Sequence, residues 1–128
     1  MKLRVFVIVA AAAVCLCAGS VMAHHSNSAY QVDKVVEVKG TVKSWKWTNP
    51  HTWLTLTVQN EKGEMVDWEL EGRAPGVLGR IGWDKLILKA GEKVTVHMSP
   101  AKDGSKVGII ARVTKADGTI LPNSAPAQ

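Results

Sequence analysis

From residue 36 onward the chain is organised by alternation. Val36, Val38 and Val42 share one parity while Trp45 and Trp47 take the other. One long strand must therefore change phase between Gly40 and Ser44, which a β-bulge achieves and which glycine makes easy. Residues 52–59 alternate again, with Leu54, Leu56 and Val58 on one face against Trp53, Thr55 and Thr57 on the other. Residues 60–63 read as a hairpin loop. Residues 65–70 return with Val66, Trp68 and Leu70 inward, leaving Asp67, Glu69 and Glu71 as an outward acidic row. Over residues 73–83 the pattern breaks. Pro75 suits a first helical turn, Val77, Leu78 and Ile81 fall at helical spacing, and Gly82 can end the segment. Alternation resumes over residues 93–99 with Val94, Val96 and Met98 inward. Asp103-Gly104 turns the chain into a fifth strand over residues 107–115, and Asp117-Gly118 precedes a short extension over 119–121.

Three antiparallel strands, a short helix and two more strands predict an all-β fold with a small helical insert, an OB-type five-stranded antiparallel barrel. The bent first strand would serve both sheets, and closure would leave few strand edges exposed. A flat meander with a helix on one face is the alternative. The barrel is expected over residues 34–121, preceded by a polar arm at 24–33 and followed by a disordered polar tail at 122–128.

Residues 1–23 read as an export signal. Lys2 and Arg4 precede an uncharged apolar run over residues 5–18, and Val21-Met22-Ala23 presents small residues at the sites a signal peptidase reads. The run is shorter than the roughly 20 residues of a membrane span, so no stable membrane anchor is expected, and the mature protein is periplasmic or secreted. Cleavage after Ala23 makes His24 the first residue, whereas a cut after Ser20 leaves three residues ahead of it. Cys15 and Cys17 both lie in the signal. The mature chain then has no cysteine, which excludes disulfides, cysteine nucleophiles and thiolate zinc sites. The whole chain's net charge of +5 includes Lys2 and Arg4 of the signal, the remaining surplus is mild and scattered in sign, and no nucleic-acid partner is expected from it, because phosphate affinity comes from clustered basic residues.

Ala23-His24-His25-Ser26, Gly40-Thr41-Val42 and Trp47-Thr48-Asn49-Pro50-His51-Thr52-Trp53 resemble a family of small exported bacterial proteins of unknown function. Gly82-Trp83, Gly91-Glu92-Lys93-Val94-Thr95-Val96 and Pro100-Ala101-Lys102-Asp103-Gly104-Ser105 extend the likeness over nearly the whole mature chain. The resemblance implies an exported small β-domain and brings no known activity. A second resemblance, to periplasmic OB-fold copper chaperones, is architectural. Their closely spaced tryptophan and methionine run is missing, since Met65 stands alone before Trp68 and Met98 is on another strand, so that ligand set does not carry over.

The sharpest chemistry lies at the mature N-terminus. An α-amine titrates near 7.7–8.0, so with His24 first, amine and imidazole can chelate one metal, and His25 adds an amide-linked chelate. Such nitrogen sets suit Cu(II) and Ni(II). His51 is the candidate third ligand, following a stiff Asn-Pro turn at a barrel end, where ligand sites tend to gather. Against this stands the plain alternative of two histidines in a loose arm and one bonding its turn neighbours. His97 alternates with inward Val96 and Met98 and is expected to face solvent. Trp45, Trp47 and Trp53 flank His51 off the aliphatic parity and form a candidate ligand platform, although packing beneath residues 73–83 would explain them equally well. Asp67, Glu69 and Glu71 lack the facing geometry of a catalytic carboxylate pair, and Asp103-Gly104-Ser105-Lys106 lacks the spacing of a phosphate loop.

The sequence therefore points to an exported, non-enzymatic binding module holding a copper-like ion through His24, His25 and His51. A copper oxidase with a two-histidine brace is the rival. A metal-free barrel that binds a peptide or envelope component on a tryptophan face is the third reading.

Overall fold

The computed structural model describes residues 28–123. Its elements are β1 (Val36–Lys46), β2 (Trp53–Gln59), β3 (Met65–Glu71), α1 (Pro75–Gly79), β4 (Lys93–Pro100), β5 (Val107–Lys115) and β6 (Ile120–Pro122). The strands run in the order β3-β2-β1-β4-β5-β6, and β3 also pairs with β5. That last pairing is parallel and closes the barrel. The predicted all-β, OB-type barrel with one small helix is the observed architecture.

β1 serves both sheets, as its change of parity predicts. Its first half, from Val36 to Thr41, pairs with β4. Its second half, from Thr41 to Lys46, pairs with β2, with a register shift between Val42 and Ser44. Gly40 sits at the bend. A Cβ there would lie 2.5 Å from the Thr57 carbonyl oxygen and 2.9 Å from Leu56 Cγ, so only glycine lets β1 pass this close to β2.

Of the inward positions read from alternation, Val42, Leu54, Leu56, Leu70, Val94, Val96 and Met98 are buried and are joined in the core by Ile110 and Val113 of β5, whereas Val58 and Val66 are half-buried. Side chains of this size contribute about 1.5–3 kcal/mol each when fully buried, which makes the register hard to slip. Trp68 is only half-buried, because it stands where the barrel opens.

The helical insert is one short turn. Pro75 starts α1 and Leu78 is its buried residue. Beyond it the Trp83 amide donates to the Leu78 carbonyl at 3.1 Å and the Gly82 amide to Gly79 at 3.3 Å, with Gly82 at φ 92°. This paired closure needs a left-handed residue, which glycine supplies without strain. It delivers Trp83 into the core, where the indole Nε1 donates to the Pro122 carbonyl at 3.0 Å.

Both ends of the barrel domain extend past their predicted limits. Tyr30, placed in the arm by its polar surroundings, is 8% exposed and bridges Ala101 of the β4–β5 connection. Pro122 ends β6, and Asn123, predicted for the tail, is buried with its Nδ2 donating to the Ile110 carbonyl at 2.6 Å. The predicted extension is thus a sixth strand, pairing Ile120, Leu121 and Pro122 with β5. A lone tyrosine and a lone asparagine carry no periodicity, so alternation could not assign them.

Candidate functional site

The turn between β1 and β2 is pinned on both sides of His51. Thr48 Oγ1 donates to the His51 carbonyl at 3.0 Å, and the Asn49–Pro50 peptide between them is cis. Thr52 is fully buried. Its hydroxyl donates to the Arg73 carbonyl at 2.8 Å, and its own carbonyl accepts the Gly72 amide at 2.9 Å. His51 is therefore held at the end of β3 by hydrogen bonds made by its neighbours.

Glu71 is the last residue of β3, and the barrel seam sets its surroundings. It lies opposite Trp53 on β2 and Ile109 on β5, and is 8% exposed. The expectation of an outward, solvated acidic row is corrected here. Asp67 does face outward, accepting from Thr57 Oγ1 at 2.8 Å and pairing with Lys43, but Glu71 is enclosed. Its two oxygens are both used: Oε1 lies 2.5 Å from His51 Nδ1, and Oε2 accepts the Tyr30 hydroxyl at 3.2 Å.

A carboxylate can only accept, so His51 Nδ1 carries the proton of this contact, and in the neutral ring Nε2 is then the nitrogen with the lone pair. Metal-binding histidines take this form, with the second ring nitrogen tied to a carboxylate. Burial pushes the Tyr30 phenol up to about 12, and the charge and hydrogen bond of Glu71 add to the shift. The phenol thus remains a donor at physiological pH. His51 and Glu71 line a groove of about 570 Å³ that Arg73, Val77, Ile109 and Asn123 complete.

The other sequence candidates are placed as follows. His24 and His25 lie outside the described residues. Among the described residues no three His, Cys, Asp or Glu side chains cluster as a metal site. The three tryptophans do not share one face. Trp45 pairs with inward Leu54, whereas Trp53 pairs with Lys46 on the opposite face. Trp45 packs 5.4 Å from Trp83 and 6.0 Å from Trp47, and its Nε1 donates to the Asp84 carbonyl at 3.1 Å. Packing against the segment after α1 thus accounts for Trp45, and Trp47 packs in turn on Trp45. His97 lies on the outer face, but it is half-buried there, 3.3 Å from Glu37 and 3.2 Å from Arg112. Sequence reading missed Glu71 and Tyr30. Only the topology brings them to His51.

The described chain is an OB-type barrel with a histidine–carboxylate pair at one end. It belongs to a family of unknown function, DUF6152, whose model matches residues 11–112. No curated protein matches it. Among solved structures it is similar to the mitochondrial single-stranded DNA binding protein Rim1 of S. cerevisiae, at 15% identity and a TM-score of 0.48. That similarity covers 71% of this chain and 97% of the other. Among the described residues no helix is long and apolar enough to cross a membrane.

Proposed function

We propose that the protein is an exported, non-enzymatic binding module that holds a copper-like ion at the barrel end carrying His51, with the His24-His25 arm supplying further nitrogen ligands. The observation that carries this reading is the shared Glu71 carboxylate. One oxygen fixes the ring of His51 with Nε2 left to coordinate, and the other holds Tyr30, the point where the arm joins the barrel. His24 and His25 lie six and five residues before Tyr30. An extended chain spans up to roughly 3.3–3.6 Å per residue, which gives the arm ample reach to the His51 end. Imidazole and amine nitrogens favour Cu(II) over the hard cations.

The experiment is Cu(II) titration of the mature chain and of His51→Ala, followed by calorimetry and EPR. Weakened binding with an altered spectrum in the variant is expected. Equal affinity and an unchanged spectrum would remove His51 from the site.

A further inference from the structure

At the end of the barrel away from His51, the core face continues beyond the strands that would cover it. β1 pairs with β2 only from Thr41 onward, and β3 pairs with β5 only from Glu69 onward. Val38 pairs with buried Val96, Val58 pairs with Val66, and Trp68 pairs with buried Leu56. By register these four lie on the core face, yet all are only half-buried. They line an open groove of about 710 Å³.

The rim of this groove is unevenly charged. Lys39 is paired with Glu37 at 3.4 Å, and Glu37 also faces His97. Lys62 and Lys106 line the groove and form no salt bridge among the described residues. The Lys106 ammonium rests 5.0 Å from the centre of the Trp68 ring, a cation–π contact. Glu61, on the hairpin loop, is the opposing carboxylate of the rim. The groove thus joins an apolar floor, one side chain wide on β1 and β2, to two cations without carboxylate partners.

We propose that this groove binds a single-chain anionic amphiphile of the fatty-carboxylate class. Its alkyl chain lies along Val38, Val58, Val66 and Trp68, and its carboxylate pairs with Lys106 and Lys62. A long carboxylate matches the site on both counts. The alkyl chain covers apolar surface that the fold leaves wet, and the head group provides the charge-assisted contact that Lys106 lacks.

The test is titration of the protein, purified as the cell produces it, with laurate, dodecyltrimethylammonium and dodecyl maltoside, each below its micelle-forming concentration. NMR shifts of the valine methyls and tryptophan indoles locate the binding. Laurate should saturate with shifts at Val38, Val58, Val66 and Trp68, and should bind more tightly than the cationic and neutral chains. The double variant Lys62→Gln/Lys106→Gln keeps long exposed side chains at both positions while removing their charge, and should weaken laurate about tenfold, far more than it changes dodecyl maltoside binding. No saturable laurate binding, equal binding of the cationic chain, shifts centred on Trp45 and Trp83, or undiminished laurate affinity in the double variant would each overturn the proposal.

Discussion

His51 Nδ1 lies 2.5 Å from Glu71 Oε1, and this contact fixes the orientation of a turn histidine at the end of the barrel. In the neutral ring the proton sits on Nδ1 and the lone pair on Nε2, the nitrogen that the proposed copper site would use. Glu71→Gln should therefore weaken Cu(II) binding by about 10–100-fold, the usual effect of removing such a carboxylate, without removing His51 itself. Calorimetric titration of the folded variant checks this. Unchanged affinity would mean that Glu71 serves the fold alone.

Tyr30 couples the arm to the same carboxylate. Its phenol is pushed up to about 12, by burial first and then by Glu71, whereas an unfolded tyrosine titrates near 10. The folded state therefore binds the proton more tightly. This stabilisation is complete below about pH 10 and is lost as the pH rises toward about 12. Tyr30→Phe should cost about 1–3 kcal/mol near neutrality, since it leaves part of a buried carboxylate unsatisfied. It should also flatten the fall in stability between pH 10 and 12 relative to wild type, measured by urea unfolding across that range. Parallel alkaline profiles in the two proteins would contradict the assignment.

Gly40 has no room for a side chain against the Thr57 carbonyl and Leu56. Gly40→Ala should destabilise the barrel by about 1–3 kcal/mol, the usual cost of overpacking a closed contact. Thermal unfolding of the variant would show it, and an unchanged midpoint would mean that β1 can move away from β2 without loss.

The barrel was readable because burial on one face forces alternation on its strands. Leu54, Leu56, Val94, Val96 and Met98 announce their faces by parity, and the phase break near Gly40 announces the bend. His51 was readable as a candidate because it follows an Asn-Pro turn. Its partners were not. Glu71 continues the parity of exposed Asp67, and only the β3–β5 closure encloses it. Tyr30 approaches by a single bridge to Ala101, a pairing with no local signature. Of the two readings the sequence left open for Trp45, packing against the segment that follows the helical insert is the one observed, since it meets Trp83.

The two described histidines separate site from surface. His97 already contacts Glu37 and Arg112 on the outer face, so His97→Ala should leave Cu(II) affinity and the copper EPR spectrum unchanged, whereas His51→Ala should alter both. The reverse pattern would move the site to the β1–β4–β5 face.

The proposed copper site needs the mature N-terminus as a ligand, because His24 supplies an amine and an imidazole together only when it is the first residue. The direct measurement is Cu(II) titration of the chain beginning at His24 against the same chain carrying one added N-terminal methionine. The His24 form should bind Cu(II) markedly more tightly. That advantage should shrink as the pH falls below the ordinary α-amine range of about 7.7–8.0, because a protonated amine cannot ligate. Equal affinity in the two forms across that range would contradict the proposed site.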